Sequence, residues 1–383
     1  LVVGEFFEKL RFQGAGSSLI NPVEVVSPKD AFDRRGVRYA YEKGFRCFYP
    51  ERDGALERAA LAAAENADVI LFFGGLTDFE ESEGFDRQHM RIGGNQTALL
   101  SALLGTGKKV VMLLYAGAPV ELPFFDGLAA LLDMGLPGMA GGEATAALLF
   151  GEANPSGKLA ESWPMRAEDA CCAADFGRGP ISKYYESVYV GYRFYDRAGT
   201  ALRFPFGYGL SYTSFEYLNL SVWEKDGRVF VEADIRNVGG RDGAEAVQLY
   251  VKKCAGALFG PEKELRAFAK VFLRAEETKR VSLSFEKADL ACWDAARGGW
   301  VLENGEYTLC LAASAADIRL TAGFAVSDGE EIKPCYPEQV STDYALPPSA
   351  IPAGFEALLG HKLPDEAPKI PLTVESPLLD FNL

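Results

Sequence analysis

The stretch Val69-Ile70-Leu71-Phe72-Phe73-Gly74-Gly75-Leu76-Thr77-Asp78-Phe79-Glu80-Glu81-Ser82-Glu83-Gly84-Phe85-Asp86-Arg87 decides the reading of the chain. Val69–Phe73 is a continuous apolar run. Such a run suits a strand buried on both faces of a parallel sheet. Two glycines end it, and five acids then fall within the nine residues 78–86, with Arg87 directly after. A charge run of this kind is ordinarily a solvated loop. Parallel α/β sheets, however, bind ligands beyond the carboxyl ends of their strands. Gly84 and Phe85 are also residues that a purely solvated run does not need. Both readings of the loop stay open on composition.

Working outward, Val110–Tyr115 and Ala129–Met134 repeat the strand pattern. Leu56–Asn66, Gln96–Leu104 and Gly141–Phe150 carry helical spacing. This alternation predicts an α/β sandwich over 1–165, with a mostly parallel sheet and helices on both faces. Residues 166–212 are irregular and rich in aromatics, Tyr184, Tyr185, Tyr189, Tyr192, Phe194 and Tyr195 among them. They read as a packed linker, which could also line a site. From 213 to 326 the hydrophobic period becomes two, as in Val229, Val231 and Ala233 against Phe230, Glu232 and Asp234. Short strands punctuated by Gly239-Gly240 and Asn304-Gly305 predict an all-β sandwich of immunoglobulin type. The tail, 327–383, is Pro-rich and extended, with one helical stretch at Phe355–Leu359 and an apolar end at Leu378–Leu383. It is expected to drape over another domain or chain.

The 383 residues carry a formal charge of −15, with 48% apolar and 24% charged residues. That balance argues against a nucleic acid or an anionic membrane surface as partner. The two histidines, His89 and His361, lie far apart, so a multi-histidine metal site is excluded and acid–base work falls to Asp and Glu. No metal and no cofactor are expected. Seven cysteines without a C-x-x-C pair read as reduced thiols of a cytoplasmic protein. The chain opens on Leu1-Val2-Val3, a strand interior. It is therefore expected to begin inside a larger polypeptide and to leave an open sheet edge or apolar face for a partner or a second copy. Gly14-Ala15-Gly16-Ser17-Ser18 follows that strand. A dinucleotide reading is weak, because Leu19 stands where a third Gly is needed and Asn21-Pro22 does not open a helix. The segment is either a plain tight turn or a turn that lets a polar ligand reach backbone N–H groups and the Ser17 hydroxyl.

Several of these stretches together resemble glycoside hydrolase family 3. Glu81-Ser82-Glu83-Gly84-Phe85-Asp86-Arg87 is similar to the acid loop of that family's C-terminal α/β sandwich. Arg11-Phe12-Gln13-Gly14-Ala15-Gly16-Ser17-Ser18 with Asn21-Pro22 resembles its first loop, and Asn154-Pro155-Ser156-Gly157-Lys158-Leu159 its closing motif. Val190-Gly191-Tyr192-Arg193-Phe194 and Phe204-Pro205-Phe206-Gly207-Tyr208-Gly209 resemble its linker. Asn237-Val238-Gly239, Val247–Val251 and Lys263–Phe268 resemble its fibronectin type III-like domain. The resemblance covers about 1–326. It implies a retaining hydrolase of terminal β-D-glucosyl residues with Glu83 as acid/base, Ser17 and Gln13 as sugar-binding residues, and Asp86 and Arg87 pairing with each other or with neighbours to support the loop. The nucleophilic Asp belongs to a (β/α)8 barrel that precedes these domains in the family and is not in this chain. Glu81 is the rival to Glu83, and which of them faces the cleft depends on whether the loop is extended or turned. Departures are Ser187 and Tyr208, where the family has Gly and His, and Met134-Gly135-Leu136-Pro137-Gly138, where an aromatic precedes Pro-Gly. The competing reading is a non-catalytic carbohydrate-binding or interaction fragment, favoured if sugar binds at Ser17 without a barrel.

Overall fold

A computed structural model describes residues 1–177, 181–294, 297–333 and 336–364. The chain divides into two compact units. One is Leu1–Asn154 with Pro164–Ala167, and the other is Pro155–Trp163 with the residues from Glu168 on.

The first unit is built on five parallel strands in the order β2-β1-β3-β4-β5. They are β1 (Val2–Val3), β2 (Tyr41–Glu42), β3 (Val69–Gly75), β4 (Lys109–Tyr115) and β5 (Ala130–Asp133). Helices α1 (Pro28–Arg34), α2 (Gly54–Glu65), α3 (Gly94–Leu104) and α4 (Gly141–Leu149) connect or follow them. Right-handed crossovers require that the leftward step from β1 to β2 and the rightward steps that follow put their helices on opposite faces. Accordingly α1 packs with α4, and α2 with α3. Helix α1 was not legible as a helix, yet Ser27 and Asp30 form a capping box at its start and Pro28 fills its first position. The opening strand β1 is paired on both sides, so the free edges of this sheet are β2 and β5 and not the strand that begins the chain.

Buried apolar side chains fill β3 and β4, including Ile70, Phe72, Phe73, Val110, Met112 and Leu113. Gly75 ends β3 at φ 156°, where a Cβ would lie 1.9 Å from the Tyr115 carbonyl oxygen. Gln96 from α3 then closes on that backbone: its Nε2 donates to the Gly75 carbonyl at 2.8 Å, and its Oε1 accepts the Gly75 N–H at 2.9 Å. The contact is fully buried and fixes where the acidic loop departs. Gln96→Leu leaves the Gly75 N–H and carbonyl without this partner, and a loss of about 2 kcal/mol is expected. Urea unfolding checks this; an unchanged midpoint would show that Gly75 finds other partners.

The second unit carries the change of period. One sheet has the order β11-β10-β15-β16 and the other β12-β9-β8. Before these strands come short strands β6 (Trp163–Pro164) and β7 (Leu202–Phe204) and helix α5 (Tyr192–Ala198). The sandwich strands are β8 (Phe215–Lys225), β9 (Arg228–Asn237), β10 (Gly243–Lys253), β11 (Glu264–Leu273), β12 (Thr278–Glu286), β15 (Gly305–Ser314) and β16 (Asp317–Val326). A hairpin of β13 (Cys292–Asp294) and β14 (Gly299–Val301) lies between β12 and β15. Val229, Val231, Ala233 and Ile235 of β9 face Val247, Leu249, Leu309 and Leu311 of the opposite sheet in one core.

Pro155–Trp163, read from sequence as part of the first domain, groups with the second unit. Leu159 N–H donates to the Tyr208 carbonyl and Gly207 N–H to the Leu159 carbonyl, each at 2.8 Å. Lys158 lies 3.3 Å from Glu245. The linker aromatics Tyr185 and Tyr189 are fully buried. The tail packs back on this segment: the Tyr189 hydroxyl donates to the Tyr344 carbonyl at 2.7 Å, and Val340 and Tyr344 share a core with Tyr189. Helices α6 (Glu338–Asp343) and α7 (Phe355–Leu359) belong to this arm. The apolar end Leu378–Leu383 lies outside the described residues, as does Cys335. Cys47, Cys171, Cys172, Cys254, Cys292 and Cys310 are free thiols.

Candidate active site

The chain leaves β1 toward β2 on one side and returns to β3 on the other. That reversal makes a topological switch point at the carboxyl ends of β1 and β3, the place where open α/β sheets take their ligands. The two loops that border it are the glycine-rich loop after β1 and the acidic loop after β3. These are the two loops that carry the candidate residues.

Arg11 organises both. Its guanidinium is buried, and Nη1 donates to the Leu76 carbonyl and to Glu81 Oε2, each at 2.8 Å. Nη2 donates to the Glu81 carbonyl at 2.8 Å, and Nε lies 3.2 Å from Asp78 Oδ1. One planar fork thus ties the start, middle and end of the segment Leu76–Glu81. Glu81 Oε2 also accepts the Gly117 N–H at 2.9 Å. Glu80 accepts the Thr77 N–H and hydroxyl, while Glu80 and Glu81 N–H groups both donate back to the Thr77 carbonyl. The run is therefore turned, not extended. Asp78, Glu80 and Glu81 are consumed in holding it.

Glu83 faces elsewhere. It is exposed, and its Oε2 accepts the Ser17 N–H at 2.6 Å and a hydrogen bond from the Ser17 hydroxyl. Its own N–H donates to the Ala15 carbonyl at 3.3 Å. Gly16, at φ 97°, sits between them, and a Cβ there would lie 2.5 Å from Glu83 Cβ. The Ser17 hydrogen bonds hold the Glu83 carboxyl below the ordinary glutamate range, so the resting group is ionised. Ser17 and Glu83 are thus brought together.

The remaining candidates are placed differently. Gln13 spends its amide within its own loop, donating to the Ile20 carbonyl at 3.1 Å and accepting the Ile20 N–H at 3.0 Å. It clamps the turn that presents Ser17. Asp86 is exposed and forms no ion pair with Arg87. Arg87 instead donates to the Pro119 carbonyl at 3.1 Å. Burial lowers its pKa, with Glu81 and Glu80 opposing that shift, and its hydrogen bond to Pro119 ties it to the neighbouring loop. Phe79 and Phe85 present largely exposed rings on the same loop. Leu136, from the departure noted in the sequence, reaches this region: its Cδ1 lies 3.0 Å from where a Gly117 Cβ would be and 3.9 Å from that of Gly14. The residue missed in the sequence is Arg11. Its signal was an arginine in the first loop with five acids in the other, but the pairing spans 70 residues of chain.

Beside the site, a cavity of about 330 Å³ lies among Glu5, Lys9, Lys43, Arg46, Phe48 and Tyr49. Its one acid is paired twice: Glu5 lies 2.9 Å from Lys9 and 3.2 Å from Lys43, and it accepts the Cys47 N–H at 2.7 Å. Burial alone would raise the Glu5 pKa. Lys9, the Cys47 N–H and Lys43 outweigh it and bring the carboxyl down to about 2 from 4.5. A depressed folded-state pKa gives stability that is present above 4.5 and is lost as pH falls through 4.5 toward 2. Glu5→Gln is therefore expected to flatten the stability–pH slope in that window. An unchanged slope in urea titrations would contradict the assignment.

The Glycosyl hydrolase family 3 C-terminal domain model matches residues 1–212, and the Fibronectin type III-like domain model matches 245–315. The chain belongs to glycoside hydrolase family 3. It is 39% identical over 340 residues to thermostable beta-glucosidase B of Acetivibrio thermocellus, covering 87% of this chain and 45% of that protein. It is 35% identical over 375 residues to an exo-alpha-(1->6)-L-arabinopyranosidase of Bifidobacterium breve, covering 96% and 50%. Among solved structures, a family 3 β-glucosidase of Bifidobacterium adolescentis matches with a TM-score of 0.82 at 37% identity, over 86% of this chain and 49% of that one. The chain spans about half the length of the curated relatives it matches, and it corresponds to the C-terminal part of this family of glycoside hydrolases.

Proposed function

We propose that the chain is the acid/base-bearing part of a retaining β-glucosidase, working with a (β/α)8 barrel that supplies the nucleophilic Asp. The observation that carries this is the division of labour in the acidic loop: Glu81 is locked onto Arg11, while Glu83 stands exposed on Ser17. Family membership and the double length of the relatives support the rest of the reading.

In this account the nucleophile attacks the anomeric carbon. Glu83, protonated, gives its proton to the leaving oxygen. The resulting carboxylate then takes a proton from water as the water attacks the glycosyl-enzyme. Retention requires the two carboxyls to stand about 5–5.5 Å apart. Ser17 offers its hydroxyl to the sugar, and Gln13 serves by shaping the turn. The relatives include both a β-glucosidase and an arabinopyranosidase, so both 4-nitrophenyl β-D-glucopyranoside and 4-nitrophenyl α-L-arabinopyranoside belong in the test. The 383-residue chain is assayed alone and as part of a polypeptide that includes the barrel. Hydrolysis only with the barrel, and faster on the glucoside, is the expected result. Sugar binding without hydrolysis in both forms would favour a carbohydrate-binding role instead.

A further inference from the structure

We infer that Ser17 is a positioning residue for the acid/base: it holds Glu83 in its ionised form until a sugar hydroxyl takes Ser17 over. Sugar binding and protonation of Glu83 are then coupled. This rests on the reading of Glu83 as acid/base.

The argument is geometric. Both hydrogen-bond donors of Ser17, its N–H and its hydroxyl, are spent on one oxygen of Glu83. The Glu83 N–H is spent on the neighbouring Ala15 carbonyl. Between them Gly16 leaves no room for a Cβ, so the two loops close to contact only because that residue is glycine. A hydroxyl has one hydrogen and donates to one acceptor at a time. A charged acceptor holds it more strongly than a neutral one, roughly twofold, so Ser17 turns away from Glu83 only where the bound sugar's other contacts fix its hydroxyl at Ser17. While Ser17 donates to Glu83, the carboxylate is favoured over the acid, and the contact lowers the Glu83 pKa accordingly. No charged side chain among the described residues contributes to that shift, from the acidic loop or from the loop after β1. Ser17 is therefore the control.

A general acid must carry its proton before the leaving oxygen needs it. When a sugar hydroxyl oxygen becomes the acceptor for Ser17, the Ser17 proton stays on its own oxygen and is redirected. Glu83 keeps the Ser17 N–H but loses the hydroxyl, the larger of its two Ser17 contributions, and takes up a proton from the buffered solvent. The balance is a net uptake of at most one proton per sugar bound, greatest between the Glu83 pKa of the free and of the loaded site.

Carboxyl-¹³C NMR of glutamate-labelled 383-residue chain reads the first half, with Glu83→Gln identifying the resonance. Glu83 is expected to titrate below an ordinary glutamate, to move up in Ser17→Ala, and to return toward the starting value in Ser17→Thr, which keeps the hydroxyl. An unmoved Glu83 in Ser17→Ala, or a Ser17→Thr variant that matches Ser17→Ala, would overturn the inference. Calorimetric titration of the barrel-containing polypeptide with glucose, in two buffers of different ionisation heat, reads the second half. Proton uptake that disappears in Ser17→Ala supports the coupling, and heat independent of buffer overturns it. If Glu83 is not the acid/base, the NMR shifts persist while the leaving-group dependence of Glu83→Gln is absent, so the two failures are separable.

Discussion

Arg11→Ala is expected to lower the stability of the first unit by about 3 kcal/mol, because removing one partner of a buried ion pair leaves the other charge without compensation. The guanidinium is 5% exposed and Glu81 19% exposed at the side chain, so water does not readily replace it. The variant also orphans the Leu76 and Glu81 carbonyls that the fork satisfies. Arg11→Lys should recover little of this, since an ammonium on a flexible stem does not span three acceptors in fixed geometry. The probe matters. The four tryptophans, Trp163, Trp223, Trp293 and Trp300, all lie in the second unit, so their fluorescence reports mainly on that unit. Circular dichroism at the helix band reports mostly on α1 to α4, since the second unit adds only the short helices α5, α6 and α7. An Arg11→Ala transition in urea that coincides with the parent's would show that the acidic loop is held by something other than this arginine.

Glu83→Gln is expected to slow hydrolysis of alkyl glucosides by the barrel-containing enzyme by about 10²- to 10⁴-fold, the range that general acid–base catalysis contributes. A poor leaving oxygen needs its proton in the transition state, and glutamine has none to give. Activated aryl glucosides leave without protonation and should lose much less in the first step. Their second step still needs a base, so the glycosyl-enzyme should accumulate and a burst should appear. Equal losses on both substrate types would mean that Glu83 holds structure or sugar and does not transfer the proton.

The parts of the fold that sequence reveals are those whose signal is local. Strands β3 and β4 are continuous apolar runs, and β9 alternates cleanly from Val229 to Ile235. Strand β8 escaped notice because its register with β9 shifts between Leu218 and Ser221, with Asn219 at φ 53°, and a bulge breaks the period of two. Strand β16 puts Ala322 and Gly323 where larger side chains would mark its two faces. Helix α5 sits between Gly191 and a left-handed Gly199, but its aromatic content read as irregular packing. At the site, the Ser17 and Glu83 motifs were visible as separate loops. Their contact was not, because 66 residues and a sheet reversal lie between them. The choice between Glu81 and Glu83 was likewise beyond a one-dimensional reading. It turns on a helical turn at Thr77–Glu81 and on an arginine 70 residues upstream.

The most direct test of the account uses Glu83→Ala and Glu81→Ala in the barrel-containing enzyme, with an activated aryl glucoside and added azide. A small anion attacks the glycosyl-enzyme without a general base. Glu83→Ala should regain turnover with azide and yield β-glucosyl azide, the product of two inversions at one carbon. Glu81→Ala should form no azide product, since its carboxylate serves Arg11 and Gly117. Azide rescue in Glu81→Ala and none in Glu83→Ala would contradict the assignment.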